Sequence, residues 1–281
     1  MKKSRIFSSV AAALAITAAA PASAMVIGGI NFGSTDVTHL ETATLAQQIV
    51  TGNGQNSIAY GQISTVNGTR DYCGAAGDDS CTLYYIAEFT GSQNFTTGYL
   101  EFTGATVTLY YSPNPDVNLL SQNSTQNLDF IDNFSVWGQL SGHNNLGGIA
   151  AANAVANATG QFAGSTLTST GNGLLDVVDG VGFAGVATHL DTNTIADAAG
   201  GFADIAFTSS ANNFVLNPFD RTSTLADHCG KTGQQPGLQA GDWCFQGTSN
   251  IRGEIAQIPE PGTVALLGLG LAGMLGFSRK K

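Results

Sequence analysis

The sequence predicts an all-β fold, arranged as a sandwich or a jelly-roll-like domain, and two observations lead to that prediction. Segments rich in β-branched and aromatic residues are separated by turns containing Gly and Asn, and long amphipathic helical patterns are almost absent. In the stretch YLEFTGATVTLYY, apolar residues recur at every second position, as Leu100 and Phe102 and then as Val107, Leu109 and Tyr111. This period of two is typical of strands buried on one face, and short strands with frequent turns are typical of sandwiches and jelly rolls.

Further segments carry the same signal, and we predict strands in each of them. They are SIAYGQISTVNGT, CTLYYIAEFTG, NLDFIDNFSVWGQLSG, GLLDVVDGVGFAGVATHLDTN, GGFADIAFTSSANNFVLNP and SNIRGEIAQI. The stretch ATHLDTNTIADAAGGFADIAFTSS is interpreted as strand, loop and strand, with Gly200 and Gly201 at the turn. Two other segments, DVTHLETATLAQQIV and GGIAAANAVANATG, fit a helix or a strand because their apolar residues do not settle the period.

The N-terminus has the layout of a secretory signal peptide. A basic start with Lys2, Lys3 and Arg5 precedes an Ala-rich apolar run, and the small residues Ala22 and Ala24 suit signal peptidase. We therefore predict a cleaved signal helix over residues 1–24 and a secreted β domain over residues 25–258.

The C-terminus, residues 259–281, combines a motif, an apolar segment and a basic end. The run from Gly262 to Phe277 carries no charge, and as a helix it would cover roughly 24 Å, less than the ~30 Å hydrocarbon core of a bilayer. Glycines in the run lower its helix propensity further. We predict a short hydrophobic helix that holds the chain in the membrane only temporarily.

This tail resembles a known sorting signal. Pro259, Glu260 and Pro261, followed by the apolar run and by a basic stop (Arg279, Lys280 and Lys281), resemble the PEP-CTERM tail of Gram-negative bacteria. The resemblance implies export across the inner membrane, transient anchoring by the tail, and handling by a membrane-embedded exosortase. It also implies a final location at the cell surface or outside the cell, in species that make extracellular polysaccharide. It implies sorting and no particular activity.

The body of the chain is strongly acidic once both ends are set aside. The chain has 10 Lys and Arg and 20 Asp and Glu residues; without the six basic residues of the two ends and Glu260, 4 basic and 19 acidic residues remain, a net charge near −15. Such a surface repels phosphate backbones, whose binding depends on Lys and Arg. We therefore exclude nucleic acid as a partner.

Four cysteines fall in two local pairs, Cys73 with Cys81 and Cys229 with Cys244. In an exported protein, an even number of closely spaced cysteines indicates disulfides. Three connectivities are open, and we favour the two local bridges because each encloses a Gly-rich loop. A zinc site is the competing interpretation, but neither spacing is C-x-x-C and only His228 adjoins a cysteine.

Few residues offer catalytic chemistry, and we expect no enzyme activity. His143 could form a triad with Ser141 and Asp132, although proximity in sequence is weak support for triad geometry. The chain has no G-x-S-x-G motif of the kind that positions a hydrolase nucleophile.

Two pairs of carboxylates could serve a glycosidase, namely Asp129 with Asp132 and Asp176 with Asp179. That reaction needs two carboxyl groups facing one cleft, about 5–10 Å apart. In a chain rich in Asp, such pairs arise without function, and we interpret these acids as turn-forming and solvating residues.

Two loops could hold a structural calcium ion, although we expect no cofactor. One offers Asp191, Asn193 and Asp197, and the other offers Asp78 and Asp79. Hard oxygen ligands on loops suit Ca²⁺, but the first loop lacks the Gly and the terminal Glu of an EF-hand.

Aromatic residues raise the alternative of a carbohydrate-binding module, because their faces can stack on sugar rings. A Tyr-Tyr pair in a strand can instead place one ring in the core and one outside, as strand alternation requires. We favour this second interpretation for the candidates, which are Tyr84, Tyr85, Tyr110, Tyr111, Trp137 and Trp243.

The function that the sequence favours is therefore that of an exported, non-enzymatic structural or interaction protein of the cell envelope or the extracellular polysaccharide matrix. Its expected partners are signal peptidase, an exosortase-type membrane enzyme and extracellular polysaccharide. A secreted carbohydrate-binding module is the first alternative, and a secreted glycan hydrolase is the second.

Overall fold

The computed structural model describes residues 24–114, 119, 122–148, 151–164, 166–213 and 239–255, and it confirms the all-β, sandwich-like prediction. The predicted signal helix and the predicted hydrophobic tail helix lie outside these residues. Two short hairpins accompany one large sheet. The strands are β1 Val26–Ile27, β2 Ile30–Asn31, β3 Val37–Gln48, β4 Ser57–Val66, β5 Thr82–Thr96, β6 Tyr99–Ser112, β7 Ser135–Gly142, β8 Ala156–Gln161, β9 Thr168–Val177, β10 Ile195–Ala196, β11 Phe202–Ala203, β12 Ile205–Asn212 and β13 Trp243–Glu254.

The large sheet has nine antiparallel strands in the order β12-β13-β3-β4-β5-β6-β7-β9-β8. Strand β12 also pairs with β9, over eight consecutive positions, so the sheet closes on itself. Strands β7 and β8 share the place between β6 and β9, because β7 pairs with one half of β6 and β8 with the other half. Closure leaves few unpaired strand edges, which is how antiparallel folds avoid edge-to-edge association.

The larger hydrophobic core lies on the inner face of this closed sheet. The alternation predicted for β6 is confirmed, because Leu100, Phe102, Val107 and Leu109 all lie in this core and Tyr111 packs against it. Phe207 of β12 meets the ring of Phe89 on β5 at 5.7 Å, and that ring in turn meets Phe102 at 5.3 Å. The contact between Phe207 and Phe89 joins strands that are not neighbours in the sheet.

A second core covers the outer face of β4, β5 and β6. Its centre is Tyr84, whose ring lies 5.5 Å from that of Phe134 and 6.4 Å from that of Phe130. Phe130 lies in helix α1, Ser124–Asp132, and Phe134 follows the end of that helix. Adjacent residues of one strand therefore enter different cores, because the outer face is covered by a helix and not by solvent.

The helix α1 corrects the strand predicted for the start of NLDFIDNFSVWGQLSG; only its second half forms a strand, β7. A capping box begins the helix, in which the Asn123 side chain accepts from the Gln126 backbone N–H and the Gln126 side chain accepts from that of Asn123. The apolar residues that suggested a strand instead form the face that docks on β5.

Three other segments were ambiguous or partly wrong. The segment DVTHLETATLAQQIV forms strand β3, and β8 begins near the end of GGIAAANAVANATG. The residues ATHL form the short helix α2, Val186–Leu190, instead of a strand, after Gly185 with φ 84°. The turn at Gly200 and Gly201 is confirmed and joins β10 to β11.

A disulfide fastens the loop before β5, as the sequence predicts. Cys73 and Cys81 are bonded, and both are buried. The loop also pairs with the N-terminal hairpin, since Asn31 N–H donates to the Tyr72 carbonyl at 2.7 Å and Gly74 N–H donates to the Gly29 carbonyl at 2.8 Å. The bridge therefore supports the contact between β1-β2 and the rest of the fold.

We expect the double variant Cys73→Ala/Cys81→Ala to lose about 2–3 kcal/mol of unfolding free energy, the value that the chain-entropy model gives for so short a loop. Chemical denaturation under oxidising conditions measures the loss. Wild type in reductant is expected to lose at least as much, because reductant also breaks the disulfide of Cys244. An unchanged midpoint for the double variant would contradict a stabilising role.

Candidate functional site

The structure brings polar side chains together around His143, directly after β7. Its Nδ1 lies 2.9 Å from both carboxylate oxygens of Asp176, on β9. Its Nε2 lies 3.1 Å from Oδ2 of Asp197, which follows β10. The imidazole therefore connects the sheet to the β10-β11 hairpin, with a carboxylate on each ring nitrogen.

These contacts set the protonation of the cluster. Burial disfavours the charged imidazolium, but the hydrogen bonds that His143 donates to Asp176 and Asp197 outweigh burial and raise the pKa of His143 above its ordinary value. The pKa of Asp197 is lowered to about 2, first by the bond from His143 and then by backbone N–H groups of Gly201 and Ala199. The cluster is therefore an ion pair at pH values above the pKa of Asp197 and below the raised pKa of His143.

A neighbouring carboxylate holds the loop before β10. Asp204 is buried and accepts from the backbone N–H groups of Thr192 and Asn193 with one oxygen and from that of Val177 with the other. Sequence analysis did not single out Asp204. Its carboxylate oxygens accept from backbone N–H groups of two separate segments, and no local sequence pattern reveals such contacts.

This arrangement differs from a catalytic triad. His143 contacts Asp176 and Asp197, and Asp132 instead accepts a hydrogen bond from the Tyr110 hydroxyl at 2.9 Å. With a carboxylate at each nitrogen, the ring has no free acceptor to activate a hydroxyl. The cluster is suited to holding the hairpin, which is a structural task.

The His143 cluster should make stability depend on pH. Because the folded pKa is raised, its contribution is fully present below the unfolded value of about 6.5 and is lost as pH rises through the folded pKa. The Asp197 contribution is present above its unfolded value and is lost as pH falls through about 2. We therefore expect His143→Gln to lower the denaturation midpoint more at about pH 5 than at about pH 9.

The matched control is His189→Gln, a histidine of α2. We expect the pH dependence of its effect on the midpoint to be smaller than that of His143→Gln. Equal losses for His143→Gln at both pH values would contradict the ion pair.

One carboxylate of each proposed pair is engaged within the fold. Asp176 binds His143, and Asp132 binds Tyr110, whose pKa burial and Asp132 raise to about 12. The linings of two cavities among the described residues include neither Asp129 nor Asp179.

Several of the predicted calcium ligands are held by hydrogen bonds within the fold. Asp78 accepts from both the backbone and the hydroxyl of Ser80, and Asp191 accepts from the Asn193 amide at 2.6 Å. Asp197 belongs instead to the His143 cluster. Within the described ranges, no group of three or more His, Cys, Asp or Glu side chains is arranged to hold a metal ion.

The aromatic candidates for sugar stacking lie mainly in the two cores. Trp137, Tyr84, Tyr85, Tyr110 and Trp243 are all buried. Tyr111 is half-buried, and its ring packs against Phe183 at 5.3 Å. The expectation that one ring of each Tyr-Tyr pair lies outside is wrong for Tyr84, because α1 covers that face. These six rings form no exposed row.

A cavity of about 40 Å³ lies inside the closed sheet. The buried Tyr85 hydroxyl borders it and makes no hydrogen bond to the described residues, and burial raises the pKa of Tyr85. The hydroxyls of Ser249 and Thr42 lie beside the Tyr85 hydroxyl, and they are 3.4 Å from each other. This volume exceeds the roughly 10–15 Å³ that one water needs, so the cavity can hold bridging water but no drug-sized ligand.

The terminal and second-disulfide predictions mostly fall outside the described residues. The predicted site residues that lie outside the described ranges are Ala22, Cys229, Pro259, Glu260, Pro261, Arg279, Lys280 and Lys281. Ala24 is exposed at the start of the described chain, and Cys244 is buried in the larger core. Signal cleavage and the Cys229–Cys244 bridge remain predictions.

Comparison with known proteins decides the nature of the C-terminus. The model of the PEP-CTERM protein-sorting motif matches residues 257–280. This chain carries a PEP-CTERM sorting tail. The match covers the motif, the apolar run and most of the basic end that the sequence singled out. No curated protein and no solved structure matches the chain.

The PEP-CTERM tail marks an exported and sorted protein. It implies transient anchoring at the C-terminus and processing by exosortase, a membrane enzyme. Among the described residues, no helix is both long and apolar enough to cross a membrane. The tail itself lies outside them.

Proposed function

We propose that this protein is a non-enzymatic structural or interaction component of the cell envelope or the extracellular polysaccharide matrix. The observation that carries the proposal is the PEP-CTERM match at residues 257–280. In this proposal, signal peptidase removes residues 1–24, exosortase acts at the tail, and the β domain remains at the cell surface or in the matrix.

The construction of the domain supports a role outside the cell. Strand closure, the Cys73–Cys81 disulfide and the half-buried His143 cluster all stabilise the fold. Several of the acidic residues are held by internal hydrogen bonds, as Glu101 is by Asn94 and Tyr99, both at 2.7 Å. A protein with these features is suited to persistence more than to a reaction.

The two alternatives receive less support from the geometry. Stacking on the aromatic candidates would require rings that the cores bury in five of the six cases. Glycan hydrolysis would require two carboxyl groups facing one cleft, and Asp132 and Asp176 each bind a partner within the fold.

A deletion strain tests the proposal. We expect loss of the gene to weaken pellicle or floc formation, and the wild-type gene to restore it. A gene lacking residues 257–281 is expected not to restore it, although the β domain is unchanged. Normal matrix formation in the deletion strain would overturn the proposal. So would the release of new reducing ends when purified protein is incubated with the strain's own polysaccharide.

A further inference from the structure

One part of the sheet presents an ordered array of uncharged polar side chains. Strands β8, β9, β12 and β13 are neighbours in the sheet, and their pairings place outward-facing residues in rows across the strands. One row runs through all four strands and consists of Thr159, Thr170, Ser210 and Thr248, all exposed. We call the outer surface of these four strands the polar face.

A second row lies beside the first, two residues further along each strand. It consists of Asn157, Asn172, Thr208 and Asn250. Two of these, Asn172 and Thr208, are exposed, and the other two are half-buried. Neighbouring strands are about 4.8 Å apart and alternate residues of one strand about 7 Å apart, so the rows form a repeating grid.

The grid is regular because its pairings are regular. The β9-β12 and β12-β13 pairs each run over eight consecutive positions without a bulge. Inward-facing glycines permit this close packing: a Cβ at Gly173 would collide with the Phe207 ring, and one at Gly171 would lie 2.7 Å from the Ser209 hydroxyl. The outward side chains are therefore held on a well-defined sheet.

The two rows carry no charge, in contrast to the acidic chain around them. The charged residues in register with the rows lie at their margins: Glu41 pairs with Asn250 at one edge, and the buried Glu101 pairs with Asn157 at the other. Arg252 lies two residues beyond Asn250 on β13. A neutral face excludes the phosphate contacts that nucleic acid needs. It also lacks the aromatic centre that dominates most protein–protein interfaces.

The chemistry of this face fits a hydroxyl-rich polymer. Thr and Ser hydroxyls and Asn amides both donate and accept hydrogen bonds, as sugar hydroxyls do. We propose that the polar face binds chains of neutral polysaccharide. An anionic polysaccharide would be repelled by the body of the chain, with 19 acidic and 4 basic residues, so the neutral class is the occupant that the charge favours.

This inference rests on the proposed matrix function and deepens it by naming the surface and the partner class. Each exposed hydrogen bond exchanges with water and contributes little by itself. Binding then depends on many repeated contacts along one polymer, so long chains bind and short oligosaccharides of the same sugar bind weakly.

The test measures binding of the exported protein by affinity electrophoresis in gels containing dextran or hydroxyethylcellulose, with alginate as the anionic polymer. We expect retardation by at least one neutral polymer and none by alginate. We expect Thr170→Val/Thr208→Val to weaken that binding about tenfold, because Val keeps the shape and strand preference of Thr but removes two hydroxyls.

The matched control is Thr90→Val/Thr103→Val, which makes the same change at exposed positions of β5 and β6, outside the polar face. This variant is expected to bind as wild type does. Equal weakening by both double variants, or binding of wild type to alginate alone, would overturn the inference. The inference would also be overturned if no neutral polymer retarded the wild-type protein. If the deletion strain still lost its pellicle in that case, the proposed matrix function would stand without a role for the polar face.

Discussion

Replacing Pro259, Glu260 and Pro261 by alanine should leave the exported protein in the membrane with its basic C-terminus still attached. The wild-type protein should appear in the culture medium as a form that begins near Met25 and ends near Pro259. Intact-mass measurement on both fractions distinguishes the two products, because the variant would retain Lys281. We expect the released form to fall at least tenfold in the variant, since processing is a prerequisite for release.

The physical reason lies in the chemistry of the motif that the sorting model matches. Two prolines restrict the backbone to extended conformations and remove two amide donors, which keeps the peptide open to an enzyme in the membrane. Glu260 is the only acidic residue of the tail and is suited to a positive pocket. A variant that is released with the wild-type mass would contradict this role.

A control separates the motif from general effects on export. Glu254→Gln removes an acidic residue at the end of β13, shortly before the tail, and leaves the motif intact. We expect this variant to be released as wild type is. Retention of both variants would indicate that the β domain, and not the motif, limits release.

The sequence was sufficient to predict features whose signal is local. Alternation in β6, the turn at Gly200 and the Cys73–Cys81 bridge all depend on residues close together in the chain. Helix α1 was mistaken for a strand because its apolar residues fit either element at that length. The helix is favoured because its apolar residues pack on the outer face of β5, and a contact with a distant strand cannot be predicted from the local sequence.

Long-range contacts explain the remaining differences. Closure of the sheet joins β9 to β12, and the polar face exists only because that pairing aligns Thr170 with Ser210. His143 meets Asp176 and Asp197 at separations of 33 and 54 residues, so no spacing rule could have selected them. By contrast, the sorting tail is recognised in sequence because its three parts are contiguous.

Trp137→Ala should destabilise the fold by about 3–5 kcal/mol, the usual loss for a fully buried tryptophan. Trp137 on β7 is completely buried in the larger core, and its ring stacks on Phe32 with centroids 6.2 Å apart. Its Nε1–H also donates to the Gly28 carbonyl at 3.0 Å, which fastens the turn between β1 and β2 to the sheet. Chemical denaturation followed by circular dichroism measures the loss.

A milder substitution separates the hydrogen bond from the packing. Trp137→Phe keeps an aromatic ring but leaves the Gly28 carbonyl without its donor, and we expect a loss of about 1–3 kcal/mol. Trp243→Phe is the matched control at the other tryptophan, which packs on Tyr60 in the outer core, 5.3 Å between ring centroids. It should leave the contact between the N-terminal hairpin and β7 intact. An equal effect of Trp137→Phe and Trp137→Ala would contradict a separate packing contribution.

Gly28 completes the argument, because its position depends on the same indole. Its φ of 55° disfavours alanine, and a Cβ there would lie 2.6 Å from Nε1 of Trp137 and 2.8 Å from Val186. Gly28→Ala should therefore destabilise the wild type through both strain and collision. In a Trp137→Phe background the collision with Nε1 is gone, so the alanine should cost less there. Strictly additive losses in this double-mutant cycle would show that the indole and the turn are not coupled.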